Sequence, residues 1–305
     1  MEEAGGVTVL DDVLPRPLRT WIEDRFWRPI EVQATLEALR DDPAFLADPG
    51  THPAMFADHG VVHARDVATG ILRLLDTIDG VLLPARPAMR RRFVRTIGVA
   101  AAYLHDIGMV DMTAAGRRIH PQFAAQAAFH PELLPLVEQL LAPGPVRAWL
   151  DDVASRAPFA VPLETVVREL LSLSVTHSKS VVPAAVLDDR GALRRLMQRV
   201  VFTPLEVQRQ ERAPVVDDRS SLPPAGRVQG YADAAASFAW LDATSGPHAE
   251  LADDAVDAMR ALRAADVLRQ RGTVLRTSGG FEVCMDARTA RAVCTLRPAS
   301  GDAAY

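Results

Sequence analysis

The chain has 305 residues, 49% hydrophobic and 24% charged, enough apolar material for a sizeable core, and no window approaches the roughly 18 uninterrupted apolar residues that a membrane helix needs. A net charge of −5 and a pI of about 5.9 give no overall electrostatic drive toward nucleic acid or an anionic membrane surface. The two cysteines, Cys284 and Cys294, have neither the number nor the spacing of a disulfide scaffold or a zinc ribbon.

Taken in chain order, the first residues, "MEEAGGVTVLDDVLP", are acidic and lack a basic region followed by a long apolar run, so a cytoplasmic chain without a secretory signal is expected. Residues 1–29 read as an N-terminal extension. Apolar residues spaced i, i+3, i+4, interrupted at proline and glycine clusters, then predict helices over 30–40, 58–79, 88–109, 121–129, 131–141, 145–154, 162–178, 190–201, 232–241 and 250–270. "MRRRFVR" at 89–95 is the densest basic run and reads as the solvated start of a helix. Residues 203–230 are polar and proline-punctuated, as a long loop or lid would be. Residues 273–297 hold two strand-like runs, "FEVCM" and "ARAVCTL", around a short polar turn and predict a β-hairpin, followed by a small-residue tail to 305. The expected fold is mainly α, a helical bundle over 30–272 with a C-terminal β-hairpin over 273–305.

Four of these helices place a polar residue on an otherwise apolar stripe. The stripe over 58–79 is His63, Val67, Ile71, Leu74 and Ile78; over 88–109 it is Val94, Ile97 and Ala101, then His105 with Asp106 beside it. Over 162–178 it is Val166, Leu170, Leu173 and His177, and over 250–270 it is Val256, Met259, Leu262 and Asp266. An ionisable group on a buried face is costly unless paired or metal-bound. Each residue alone is explained by hydrogen bonding in a core. Packed around one core, however, three imidazoles and two carboxylates converge, and a metal is the usual way to neutralise such a set.

This ordered set, "DHGVVHARDV" with His63, "YLHDIGM" with His105 and Asp106, and "LRAADVLRQRG" with Asp266, resembles the HD-domain superfamily of metal-dependent phosphohydrolases over roughly residues 55–272. The resemblance implies that His63, His105, Asp106 and Asp266 are metal ligands, with Asp106 able to bridge two ions. "RRIHPQFAA" is similar to the segment that follows the His-Asp pair in dinuclear members, where a His-Pro opens the next helix, and it implies His120 as a ligand. His177 matches a further histidine of the second metal. The glycine-tyrosine-proline motif of one dinuclear group is missing, so its cyclic dinucleotide specificity is not carried over. Met109 stands where many members have a lysine after "HDxG".

Of the 34 basic residues one is a lysine, Lys179 in "THSKS", two positions after His177. Its ordinary reading is a cation at a helix C-terminus; a compact ammonium for a phosphoryl group, in place of the cation absent at Met109, is the functional one. Arg118 is the next candidate for that role. His59, one turn before His63, is a candidate for the substrate side, with hydrogen bonding at the helix entry as the alternative. His52, His130 and His248, each beside a proline, read as turn or surface residues.

The expected function is hydrolysis of a small-molecule phosphate ester, a nucleotide by expectation, at two divalent transition ions (Mn, Fe, Co or Zn), with Asp106 and Lys179 as the catalytic candidates. No nucleic-acid or membrane partner is expected, and oligomerisation is left open. Two alternatives stand beside it: a di-iron HD-fold oxygenase, which shares the ligand order, and a non-catalytic ligand-sensing module.

Overall fold

Proline opens most of the helices, because its ring holds φ near the value a chain needs on entering one. The computed structural model describes residues 9–33, 43, 60–81, 86–111, 114–210, 234–277, 281–285 and 294–298. Pro15, Pro87, Pro162 and Pro183, with φ between −58° and −54°, precede α2 (Arg16–Ile22), α5 (Ala88–Ala102), α9 (Leu163–Ser172) and α10 (Ala184–Asp188). The other helices are α1 (Leu10–Val13), α3 (Arg28–Gln33), α4 (Val61–Val81), α6 (Ala114–Ala127), α7 (Leu134–Leu141), α8 (Pro145–Arg156), α11 (Arg190–Phe202), α12 (Leu205–Gln210) and α13 (Gly246–Thr277). The described chain is mainly helical, and none of its helices is long and apolar enough to cross a membrane.

The centre of the bundle is α4, α5 and α13. The apolar stripes expected from the sequence bury here: Val67 and Ile71 of α4, Val94 and Ile97 of α5, and Met259 and Leu262 of α13 are all 1% exposed or less. Burial on this scale contributes roughly 1.5–3 kcal/mol per large aliphatic side chain. The helices also approach closely. A Cβ on Gly98 would lie 2.9 Å from Ile71 Cγ2, so α5 has room against α4 only for hydrogen.

Several elements differ from the sequence expectation, each for a local reason. Residues 10–33 form α1, α2, a π-helical turn over Glu23–Trp27 and α3, and they bury Leu14, Ile22, Trp27 and Ile30 in the same core. Glu31 accepts the Val61 N–H at 2.7 Å, so α3 supplies the cap of α4. Of the helix expected over 30–40, only the part to Gln33 is described. The helix expected over 88–109 stops at Ala102, and a turn carries Tyr103 to Asp106 before the 3-10 helix Ile107–Val110. The helix expected from 121 begins at Ala114, with Pro121 inside it. His177 ends a 3-10 turn, Leu173–His177, that follows α9.

Of the helix expected over 232–241, the described residues hold a 3-10 turn, Ala234–Ala236, and the helix does not continue because Phe238 takes φ 53°, and its N–H donates to Glu169 at 2.6 Å. The expected loop over 203–230 holds α12 at its start, where Gln208 donates to Val200 O and Thr203 O; residues 211–230 lie outside the described residues. α13 runs on to Thr277, so the first residues of the segment expected as a hairpin are helical.

Candidate metal centre

Five elements deliver the site. His63 comes from the first turn of α4, His105 and Asp106 from the turn that ends α5, His120 from the middle of α6, His177 from the 3-10 turn after α9, and Asp266 from α13. Each but His120, whose side chain is 17% exposed, is buried. The six residues suspected from the sequence are therefore brought together, and their ligand atoms form two groups: His63, His105 and Asp266, and Asp106, His120 and His177.

Asp106 joins the two. Its Oδ2 lies 3.2 Å from His105 Nε2 and 3.5 Å from His63 Nε2, while its Oδ1 lies 3.1 Å from His120 Nε2 and 3.2 Å from His177 Nε2. The paired Nε2 atoms are 3.1 Å apart in His63 and His105 and 3.2 Å apart in His120 and His177. Asp266 Oδ1 closes the first group at 3.6 Å from His63 and 3.8 Å from His105.

The rings are oriented from behind. His105 Nδ1–H donates to Ala102 O at 2.7 Å, His177 Nδ1–H to Ser174 O at 2.8 Å, and His120 Nδ1–H to Arg117 O. A hydrogen bond of this kind places the proton on Nδ1 and leaves the Nε2 lone pair for a ligand. Gly108 permits the arrangement, since a Cβ there would lie 2.4 Å from the backbone oxygen of His120.

Electrostatics in the metal-free centre are dominated by the carboxylates. Burial disfavours charge on His105, yet Asp106 and Asp266 outweigh it and push its pKa up to about 10. Burial would raise Asp106, but His105 and the hydrogen bonds of His120 and His177 hold it well below the usual carboxylate range. Asp266 is likewise lowered, burial being outweighed by its bond with His105. His177 is pushed down, chiefly by burial. Four imidazoles and two carboxylates of this disposition fit divalent transition ions.

Residues 10–33 add partners that the sequence did not suggest. Trp27 packs its ring 5.7 Å from His105 and 6.1 Å from His63, and its Nε1–H donates to Tyr103 O at 3.0 Å. The buried Glu23 accepts from Arg65 at 2.6 and 2.7 Å and from Tyr103 Oη at 3.3 Å, tying the helix of His63 to the turn of His105. A search for amphipathic periods had no reason to stop there, because the π turn shifts the spacing of buried residues.

The other candidates are not gathered in the same way. Lys179 and Arg118 are exposed, the former in a turn after His177 and the latter on α6. His59 lies outside the described residues. Met109 is 1% exposed and belongs to the core. Comparison with models of known protein families, with curated proteins and with solved structures gives no match.

Proposed function

We propose that the chain is a metal-dependent phosphoric ester hydrolase of the HD type, acting on a small phosphate ester of the nucleotide class in the cytoplasm. The observation that supports it is the carboxylate of Asp106, which presents one oxygen to His63 and His105 and the other to His120 and His177. In this reading His63, His105 and Asp266 would hold one ion and His120 and His177 the second, with Asp106 offering one carboxylate oxygen to each group. Two divalent ions (Mn, Fe, Co or Zn) would supply Lewis acidity at the phosphorus and lower the pKa of water.

The chain's own residues would do the rest. Nδ1–H bonds hold His105, His120 and His177 as Nε2 ligands, and Trp27 excludes water from the first group. His120, the more open ligand, marks the side from which substrate enters. Lys179 and Arg118 are the proposed partners of the phosphoryl oxygens. The proposed architecture keeps the C-terminal β-hairpin, with Phe281–Met285 antiparallel to Cys294–Pro298 and Cys284 one register step from Cys294.

The test is an assay, with and without dioxygen, of Mn-, Co- and Fe-loaded protein against a panel of nucleotide phosphoesters, with Asp106→Ala and Lys179→Ala alongside. Hydrolysis by the wild type, lost in Asp106→Ala together with the metal and reduced about 10-fold or more in Lys179→Ala with metal content intact, is the expected result. Turnover that requires dioxygen would replace hydrolysis by the oxygenase reading. Metal binding without any turnover would assign the centre to ligand sensing.

A further inference from the structure

The second group of ligands poses a local problem that the first does not. His105 and His177 each stand where a helix is ending, and there the backbone has carbonyls to spare. Ala102, the last residue of α5, gives its oxygen to His105 Nδ1–H, and Ser174, in the terminal 3-10 turn, gives its oxygen to His177 Nδ1–H. His120 has no such end nearby. It lies in the middle of α6, which runs from Ala114 to Ala127, and there each carbonyl is normally taken by the N–H four residues on.

The residue four positions after Arg117 is Pro121, which has no N–H. The Arg117 oxygen is therefore released from the helical ladder, and it is this oxygen that accepts from His120 Nδ1–H. Nε2 of the same ring is then turned to Asp106 Oδ1 at 3.1 Å and to His177 Nε2 at 3.2 Å.

We propose that Pro121 is a positioning residue of the metal centre: by withholding one backbone N–H it frees the Arg117 carbonyl to fix the tautomer and plane of His120. The proline does inside a helix what a helix end does for the other two histidines. This gives a role to a residue that weakens the helix it occupies, and it gives the pair His120-Pro121 a mechanism. The inference rests on the reading of Asp106, His120 and His177 as ligands of one ion.

The experiment compares wild type, Pro121→Ala, and a protein carrying at 121 the α-hydroxy-acid analogue of alanine, which lacks both the ring and the N–H. Each is titrated with Co²⁺ alone and followed by visible absorption, and each is melted in chelator. In Pro121→Ala the restored N–H competes for the Arg117 oxygen. One of the two Co²⁺ affinities should fall by about 10–100-fold, as when other partners behind a metal-bound histidine are removed, while the other affinity holds. The melting midpoint in chelator should stay level or rise, since a helix interior is relieved of proline. The hydroxy-acid analogue, which restores no N–H, should recover the lost affinity.

In the zinc-loaded protein the same contrast should appear in the His120 ring nitrogens, protonated at Nδ1 in wild type and in the analogue. Unchanged Co²⁺ affinities in Pro121→Ala, or a fall of both affinities together with the midpoint, would overturn the proposal and leave Pro121 a packing residue. A wild type that takes up no second Co²⁺ would overturn the two-ion reading itself.

Discussion

The same three helices bury charge at two places, and the two clusters are neutralised by different means. Where the end of α4 meets the starts of α5 and α13, Arg95 bonds Asp76 and Asp79, Arg90 grips Asp254 at 2.7 and 3.1 Å, and Arg86 reaches Asp257 and comes within 3.6 Å of Asp254. At the other place, near the start of α4, just past the end of α5 and further along α13, the partners of Asp106 and Asp266 that the structure gives are imidazoles. Asp254 and Asp266 are twelve residues apart on α13, about 18 Å along its axis. A guanidinium carries its charge at every pH of interest, so the first cluster supplies its own counter-charge. Imidazoles carry charge only when protonated, and in the proposed reading the second cluster exchanges that proton for a metal ion. An acidic residue on a buried stripe therefore means nothing by itself; its partners decide between scaffold and site.

The comparison breaks first if the arginine cluster responds to metal. Arg90→Ala leaves the fully buried Asp254 with less cationic cover and should cost about 3–5 kcal/mol of stability. Urea denaturation should give the same loss in Mn²⁺ and in chelator, and a loss confined to Mn²⁺ would show that the two clusters are coupled.

Asp266→Ala probes the opposite case. Binding to the native state stabilises by mass action, so with free metal at 100 times its dissociation constant the variant should lose about 2.7 kcal/mol more than it loses in chelator. His63→Ala should behave alike. Equal losses in both buffers would make these residues core partners like Asp254.

The last contrast is a matter of pH. The folded pKa of His105 lies near 10, above the unfolded value of 6.5, so its protonation stabilises the metal-free protein fully below pH 6.5, and that contribution is lost as pH rises through about 10. Denaturation of the chelator-treated protein from pH 7 to 10.5 should show this alkaline decline, and His105→Ala should flatten it. With metal bound the proton is already displaced, and uptake at pH 8 should release about one proton from His105, measurable by calorimetry in buffers of different ionisation enthalpy.

The helical character and five of the six converging residues were legible because both rest on the 3.6-residue period, whereas His120 was reached only through the resemblance of its His-Pro segment. Leu170 and Val166 bury on α9 as their spacing requires, and His177 follows them inward. Less legible was how each ligand is held. His105 and His177 lie past the ends of the helices drawn through them, and His120 lies inside one whose start the proline seemed to mark. Periodicity reports which face a residue is on, and it is blind to whether the ladder of N–H and carbonyl groups is closed at that point. The segment over 10–33 escaped for a similar reason: a π turn and short helices blur the period, although Leu14, Ile22 and Trp27 are as buried as any core residue.

Sequence by itself determined the mainly helical character and the polar positions on apolar stripes with their types, His63, His105 with Asp106, His177 and Asp266, since these depend only on local spacing and side-chain chemistry, while His120 came from the resemblance of its His-Pro segment. Tertiary packing alone decided that Asp106 faces four imidazoles with its two oxygens divided between them, that Asp254 meets arginine instead, and that Trp27 and Glu23 from the chain's beginning back the first ligands. Those outcomes depend on which helices lie side by side, and a pairing such as that of Arg90 with Asp254, 164 residues apart, leaves no mark in any window of the chain.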